Sequence, residues 1–161
     1  GLTLFSNDAW LTEVLTSRVR ELSLEATYHV RSSTAVSDSA LRQILQPSEP
    51  RADADGLASL GMGVRLAPRP FEVHAASRIL KPFSEEEHDN ELMLTVPADL
   101  SATEMRAHVL RTTGIKLVFA RCDFFAGMSM QGMHAGGHMA NVTPEEYAWL
   151  REREAASAPP Q

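Results

Sequence analysis

One stretch in the second half of the chain constrains the fold most, because it reads as a strand, a helix and a second strand in succession. The first strand is predicted at residues 92–96. Ser101 and Glu104 form a capping box that predicts the start of the helix, and Gly114 predicts its end. Residues 115–125 alternate in the manner of a strand. This order is compatible with a right-handed crossover between two parallel strands.

Hydrophobic periodicity outlines the remaining elements. Helices are predicted at residues 8–22, after the cap at Ser37, and from Thr143 to about Glu154. Strands are predicted at residues 22–30, 60–67 and 71–80, and an exposed acidic loop at residues 84–91. Together these elements predict an α+β fold, with a mixed, mostly antiparallel sheet of four or five strands and helices packed on it.

At 161 residues, the chain has the length of one domain with a substantial core. We expect a single α+β domain over residues 1–155. It would carry a flexible loop rich in methionine, glycine and histidine at residues 126–142. Residues 156–161 are expected to form a disordered tail.

Composition limits the compartment and the partners. The lone Cys122 excludes an internal disulfide and fits a reducing, cytoplasmic compartment. The longest apolar run, residues 117–120, is far too short to cross a bilayer, and the first residues lack the features of a signal peptide. The net charge of −6, without a basic stripe interleaved with aromatic residues, argues against nucleic acid as a direct partner.

Residues 127–139 contain four methionines, four glycines and two histidines without one charge. Methionine side chains repack easily, so this segment suits docking to another protein chain or to a second copy of this one. The sequence thus favours a non-catalytic protein-binding or assembly module that docks through this segment and the C-terminal helix. The predicted contact residues are Met128, Met130, Met133, Met139, Tyr147 and Trp149.

The same segment supports an alternative, a carrier or sensor of a soft metal ion. Thioether sulfur and imidazole suit Cu(I) and Ag(I), and a glycine-rich backbone can fold around such an ion. The segment resembles the Met/His clusters of periplasmic copper and silver carriers. Cu(I) is therefore the one cofactor that the sequence suggests. The candidate ligands are Met128, Met130, Met133, His134, His138 and Met139.

A small hydrolase is the third alternative. Residues 127–132 nearly match the Gly-x-Ser-x-Gly turn of α/β-hydrolases, but the second glycine comes one position late. No aspartate follows Ser129, so the sequence predicts no catalytic residue. Cys122 is expected to be an inert thiol within a strand.

The other aromatic and histidine residues are expected to serve the fold. The phenylalanines predicted in the core are Phe119, Phe124 and Phe125. The histidines predicted to be ordinary surface or hydrogen-bonded side chains are His29, His74 and His108.

Overall fold

The computed structural model describes residues 2–48, 70–130 and 140–157. In these residues four helices and five strands follow each other in the order α1, β1, α2, β2, β3, α3, β4, β5, α4. The helices are α1 (Ala9–Thr16), α2 (Asp38–Ile44), α3 (Ala102–Thr113) and α4 (Pro144–Ser157). The strands are β1 (Glu25–Ser32), β2 (Ala75–Leu80), β3 (Glu87–Pro97), β4 (Leu117–Phe125) and β5 (Met128–Ser129).

The strands form one sheet in the order β2-β3-β1-β4-β5, and each strand is antiparallel to its neighbours. The α+β prediction is thus confirmed. Strands β3 and β4 are both antiparallel to β1, which lies between them, so they run in the same direction. Helix α3 therefore connects two parallel strands, as the sequence indicated, but β1 separates them.

The two faces of the sheet differ in burial. Ala26 and Val30 of β1 are fully buried, as are their partners Val96 and Leu92 on β3. Alternate side chains of a strand point to opposite faces, so these residues define a core face. Helices α2 and α3 contribute Ala40, Ile44, Met105 and Val109 to this core.

The opposite face, which we call the open face, is formed by residues that alternate with the core positions. They are Thr27, His29, Arg31, Glu91, Met93, Thr95, Phe119, Arg121 and Phe124. None of these residues is buried, and Met93, Phe119 and Phe124 do not pack against the core. His29, predicted as a surface or hydrogen-bonded side chain, lies on this face and is hydrogen-bonded to Glu91.

Helix α1 is shorter than the predicted 8–22. It starts behind Asp8, whose carboxylate accepts a hydrogen bond from the Leu11 N–H at 3.1 Å, and it ends at Thr16. The chain then forms turns up to β1. Val19 and Leu22 are nevertheless 1% and 3% exposed, because these turns keep them against the core. Apolar spacing alone therefore overestimated the helix length.

The acidic stretch at residues 84–91 is largely a strand, which corrects the prediction of an exposed loop. Strand β3 begins at Glu87, which pairs with Leu80 of β2 in a hairpin. The Arg78 guanidinium contacts the Glu87 carboxylate at 2.9 Å and offsets part of the negative charge of this stretch. Strand β2 begins only at Ala75, and Phe71 forms an isolated bridge with Ser48. The strand predicted at residues 60–67 lies outside the described residues.

Two irregularities in β4 change which side chains face the core. Leu117 pairs with Ser32 whereas Phe119 pairs with Arg31, so Val118 is an extra residue at this point. A second shift leaves Asp123 unpaired between Cys122 and Phe124. Because such bulges reverse the alternation of a strand, the core prediction is wrong for Phe119 and Phe124. Of the three phenylalanines that were predicted in the core, Phe125 alone packs against it.

The segment that follows β4 is structured at its beginning, in contrast to the loop predicted at residues 126–142. Ala126 is 0% and Met128 3% exposed, and the Met130 N–H donates to the Asp123 carbonyl at 2.9 Å. Residues 131–139 lie outside the described part of the chain. Helix α4 runs to Ser157, so the tail predicted at residues 156–161 begins as helix.

Helices α1 and α4 pack against each other through aromatic and charged side chains. The Tyr147 ring centre lies 4.7 Å from that of Trp10, and the Arg151 guanidinium lies 3.5 Å from the Trp10 ring centre. The Trp10 indole N–H donates to the Glu154 carboxylate at 3.0 Å. Leu150 of α4 is fully buried in the core. The C-terminal helix is thus part of the folded domain.

Candidate functional site

A chain of polar contacts crosses the open face over three adjacent strands. The Arg121 guanidinium donates two hydrogen bonds to the Asp123 carboxylate, at 2.6 and 3.0 Å. It also lies 3.3 Å from His29 Nδ1. The other imidazole nitrogen of His29 lies 3.1 Å from the Glu91 carboxylate, to which its N–H donates. Four side chains from β4, β1 and β3 are therefore joined, and we call them the polar chain.

The pairing of β3, β1 and β4, together with one bulge in β4, places the four side chains of the polar chain next to one another. Arg121 and His29 are direct cross-strand partners, and Glu91 lies diagonally opposite His29 on β3. The unpaired position of Asp123 turns its carboxylate toward Arg121. Hydrogen bonding to Asp123 raises the pKa of the Arg121 guanidinium. The Arg121 and Asp123 side chains are 42% and 23% exposed, so both remain accessible from solvent.

Phe119 and Phe124 flank the polar chain. The Phe119 ring makes an edge contact with His29 at 5.6 Å, and the Arg31 guanidinium lies 5.7 Å from its centre. Phe119 pairs with Arg31 and Phe124 with Thr27, which are four positions apart on β1. At the usual rise of a strand, the backbone positions of the two phenylalanines are separated by roughly 13 Å. The open face thus presents two half-exposed aromatic rings with hydrogen-bonded polar side chains between them.

His108 is fully buried and lies apart from the open face, between the two helices α2 and α3. Its Nε2–H donates to the Ile44 carbonyl at 2.7 Å, and its Nδ1 accepts from the Ser48 hydroxyl at 2.8 Å. The ring stacks on Phe71 with 4.6 Å between centres. Burial lowers the pKa of His108, so the neutral form that these two hydrogen bonds require is favoured. The prediction of a hydrogen-bonded histidine is confirmed, and its burial indicates a structural role.

Cys122 and Tyr28 face each other on the core side of the sheet and are poor candidates for catalysis. The thiol donates to the Phe124 carbonyl at 3.3 Å, and burial raises its pKa, so it carries little thiolate. Burial also raises the pKa of Tyr28 to about 12. The expectation that Cys122 is unreactive agrees with this environment.

The methionine segment is only partly described. Met128 is 3% exposed and belongs to the core, and Met130 is half-buried beside the end of β4. Four of the six predicted metal ligands lie outside the described residues, namely Met133, His134, His138 and Met139. The prediction of a Cu(I) or Ag(I) site is therefore not tested by these contacts.

The two predicted contact residues of the C-terminal helix are engaged within the fold. The Tyr147 hydroxyl donates to the Asp8 carboxylate at 3.2 Å, in addition to the ring contact with Trp10. The Trp149 ring lies directly over the Cα of Gly127. These side chains attach α4 to α1 and to the turn before β5.

Within residues 2–48, 70–130 and 140–157, no three histidine, cysteine or acidic side chains are grouped closely enough to hold a metal ion. No helix in the same residues combines the length and the apolar character that a bilayer-crossing segment needs.

The fold resembles that of a known enzyme. A crystal structure described as pseudouridylate synthase superposes with a TM-score of 0.60 over 90% of this chain, at 16% sequence identity. The match covers 52% of that structure, so this chain spans about half of its length. No family model matches the sequence, and no curated protein matches it. The similarity therefore establishes a shared fold.

This similarity overturns the interpretation of the chain as a non-catalytic docking module. The likeness is to an enzyme fold, and the predicted docking residues Met128, Tyr147 and Trp149 are used for internal packing. The open face was not predicted from the sequence, because its residues come from three separate strands. A visible signal was the Arg-x-Asp pair at Arg121 and Asp123 within a strand of aromatic residues.

Proposed function

We propose that the open face binds single-stranded RNA and serves as a substrate-binding surface of an RNA-modifying enzyme. The observation that carries this proposal is the position of Phe119 and Phe124, which lie on an antiparallel sheet face without joining the core. Aromatic side chains on such a sheet can stack two or three unpaired bases. The fold similarity to a pseudouridylate synthase supports a nucleotide as the ligand.

The polar chain supplies hydrogen-bonding groups between the two rings. A base lying between Phe119 and Phe124 would meet the guanidinium of Arg121, which donates, and the carboxylate of Asp123, which accepts. Such paired donors and acceptors can read the edge of an unpaired base. Because two hydrogen bonds from Arg121 fix the position of the Asp123 side chain on the open face, Asp123 is also the described side chain best placed to act chemically on a bound nucleotide.

The net charge of −6, on which the expectation against nucleic acid rested, is that of the whole chain. On the open face, however, the carboxylates of Asp123 and Glu91 are engaged by Arg121 and His29. Base stacking does not require a positive surface, and alanine substitution shows it to contribute about 1–3 kcal/mol per base. We therefore expect binding that depends mainly on the rings.

The first experiment measures the affinity for a fluorescein-labelled single-stranded RNA of about 12 nucleotides, a length in the range of single-strand sites. We expect Phe119→Ala and Phe124→Ala each to weaken binding by about 5- to 150-fold, which corresponds to the loss of one stacked base. Leu110→Ala is the matched control, because Leu110 is 51% exposed on α3, away from the open face.

The proposal fails if the two phenylalanine variants bind as tightly as the wild-type chain, or if Leu110→Ala weakens binding equally. Circular dichroism spectra of all variants show whether the sheet is intact. Both phenylalanines lie outside the core, so their truncation should leave the fold in place.

A further inference from the structure

Phe83 lies at the tip of the β2–β3 hairpin, where its exposure and its backbone conformation are both unusual. Its relative exposure is 110%, the highest among the large apolar side chains of the described residues. Its φ angle is 57°, in the left-handed region that a bulky residue without glycine's freedom rarely adopts. An outlier of this kind persists only where the surrounding structure holds it, and it raises the question of a function.

The hairpin tip holds Phe83 in place through its neighbours. The Lys81 N–H donates to the Glu86 carbonyl at 2.8 Å, and the Ser84 N–H donates to the Lys81 carbonyl at 3.2 Å. The Lys81 ammonium pairs with the Glu86 carboxylate at 2.9 Å, and the Ser84 hydroxyl accepts from the Glu86 N–H at 3.0 Å. The phenyl group is therefore presented to solvent from a closed, hydrogen-bonded turn.

The tip lies beyond one end of the open face. Phe124 is level with Thr27 of β1, and Phe119 is level with Arg31, whose partner on β3 is Glu91. From Glu91, strand β3 continues for four more residues to Glu87, at the start of the tip, which adds roughly 13 Å in the same direction. Phe124, Phe119 and Phe83 thus follow one another along the strand direction.

We propose that Phe83 is a third base-stacking platform, which binds a nucleobase of an RNA strand that extends beyond Phe119. The inference rests on the proposed function of the open face. Beside the tip, Lys81 and Arg78 are engaged by the carboxylates of Glu86 and Glu87, and Glu85 is exposed. The contact is therefore with the face of a base and not with a phosphate. The contribution of Phe83 should accordingly not decrease when the salt concentration rises.

The test compares two labelled single-stranded RNAs, one of about 4 nucleotides and one of about 12, both within the range of single-strand site sizes. Phe83→Ala should weaken binding of the longer RNA by about 5- to 150-fold and leave the shorter RNA, bound by Phe119 and Phe124, unaffected. Leu80→Ala is the matched control, since Leu80 is 57% exposed on the same hairpin.

A second variant reports the contact directly. Phe83→Trp should retain the affinity for the longer RNA, and its added tryptophan fluorescence should be quenched when a base stacks on the indole. Because the side chain is fully exposed, these substitutions should not disturb the fold.

The outcomes separate the inference from the proposed function. If neither RNA binds to the wild-type chain, the proposed function fails, and the inference with it. If the longer RNA binds and Phe119→Ala weakens it while Phe83→Ala does not, the third platform alone is overturned. Unchanged fluorescence of Phe83→Trp at saturating RNA would also overturn it.

Discussion

His108 makes the stability of the domain depend on pH. The neutral ring accepts from Ser48 and donates to the Ile44 carbonyl, and burial together with the nearby Arg111 lowers its pKa. The unfolded chain therefore takes up a proton at a higher pH than the folded domain. The contribution to stability is complete above the unfolded pKa of about 6.5 and is lost as the pH falls from there toward the folded pKa.

We expect His108→Phe to lower the free energy of unfolding by about 1–3 kcal/mol near neutral pH, because it leaves the Ser48 hydroxyl and the Ile44 carbonyl without their partner. The difference between wild type and variant should narrow below about pH 6.5. Urea unfolding at a series of pH values measures both quantities. A constant difference across this range would contradict the assignment of the pH dependence to His108.

At the scale of elements, Gly127 determines how α4 meets the end of the sheet. Its φ angle is 86°, and a Cβ atom at this position would lie 2.5 Å from a ring carbon of Trp149. Gly127→Ala should therefore destabilise the domain through both backbone strain and a clash. We expect a loss of about 1–3 kcal/mol in the free energy of unfolding, measured by urea denaturation.

Gly114 offers a matched control for this prediction. Its φ angle is 73°, but a Cβ atom there would have no neighbour within 4 Å. Gly114→Ala should therefore show the backbone cost without the clash. Combining Gly127→Ala with Trp149→Ala should make the glycine substitution less costly than in the wild-type background. Equal costs at Gly114 and Gly127 would show that contact with Trp149 is unimportant.

The two bulges of β4 determine which of its side chains lie on the open face. Val118 is an extra residue in the pairing with β1. If side chains instead alternated regularly from the buried Leu117, Phe119 would point into the core. The second bulge directs Phe124 outward and brings Asp123 beside Arg121. A sequence pattern of period two cannot show where a strand gains a residue, because that depends on pairing with β1.

For the whole molecule, the distribution of charge predicts the response of RNA binding to salt. The carboxylates of the polar chain are paired within the open face, and the chain as a whole is acidic. Few phosphates should therefore be neutralised on binding. We expect the logarithm of the association constant to fall with the logarithm of the salt concentration with a slope of about −1 or shallower.

Affinity measurements between low and physiological salt test this expectation. A slope steeper than about −3 would indicate several phosphate contacts and hence a basic surface other than the open face. Arg31→Ala provides an internal comparison, because Arg31 is an exposed cation beside Phe119. Its removal should reduce the slope without the large loss of affinity expected for Phe119→Ala.

The sequence by itself determined the local features of this protein. The capping box at Ser101 and Glu104, the left-handed end of α3 at Gly114 and the cap at Ser37 all occur where predicted. Each depends on residues within a few positions of one another, whose preferences act through short-range sterics and hydrogen bonds. The fold class followed from the order of these elements.

Tertiary structure alone decided the candidate site. The polar chain joins His29, Glu91 and Arg121, which are distant in sequence and become neighbours only through the register of β3, β1 and β4. Burial also distinguishes Met128, whose side chain lies in the core, from Phe119, whose side chain does not. The physical reason is that strand pairing and burial depend on contacts between segments that are distant in sequence. A local sequence pattern does not specify which of these segments come into contact.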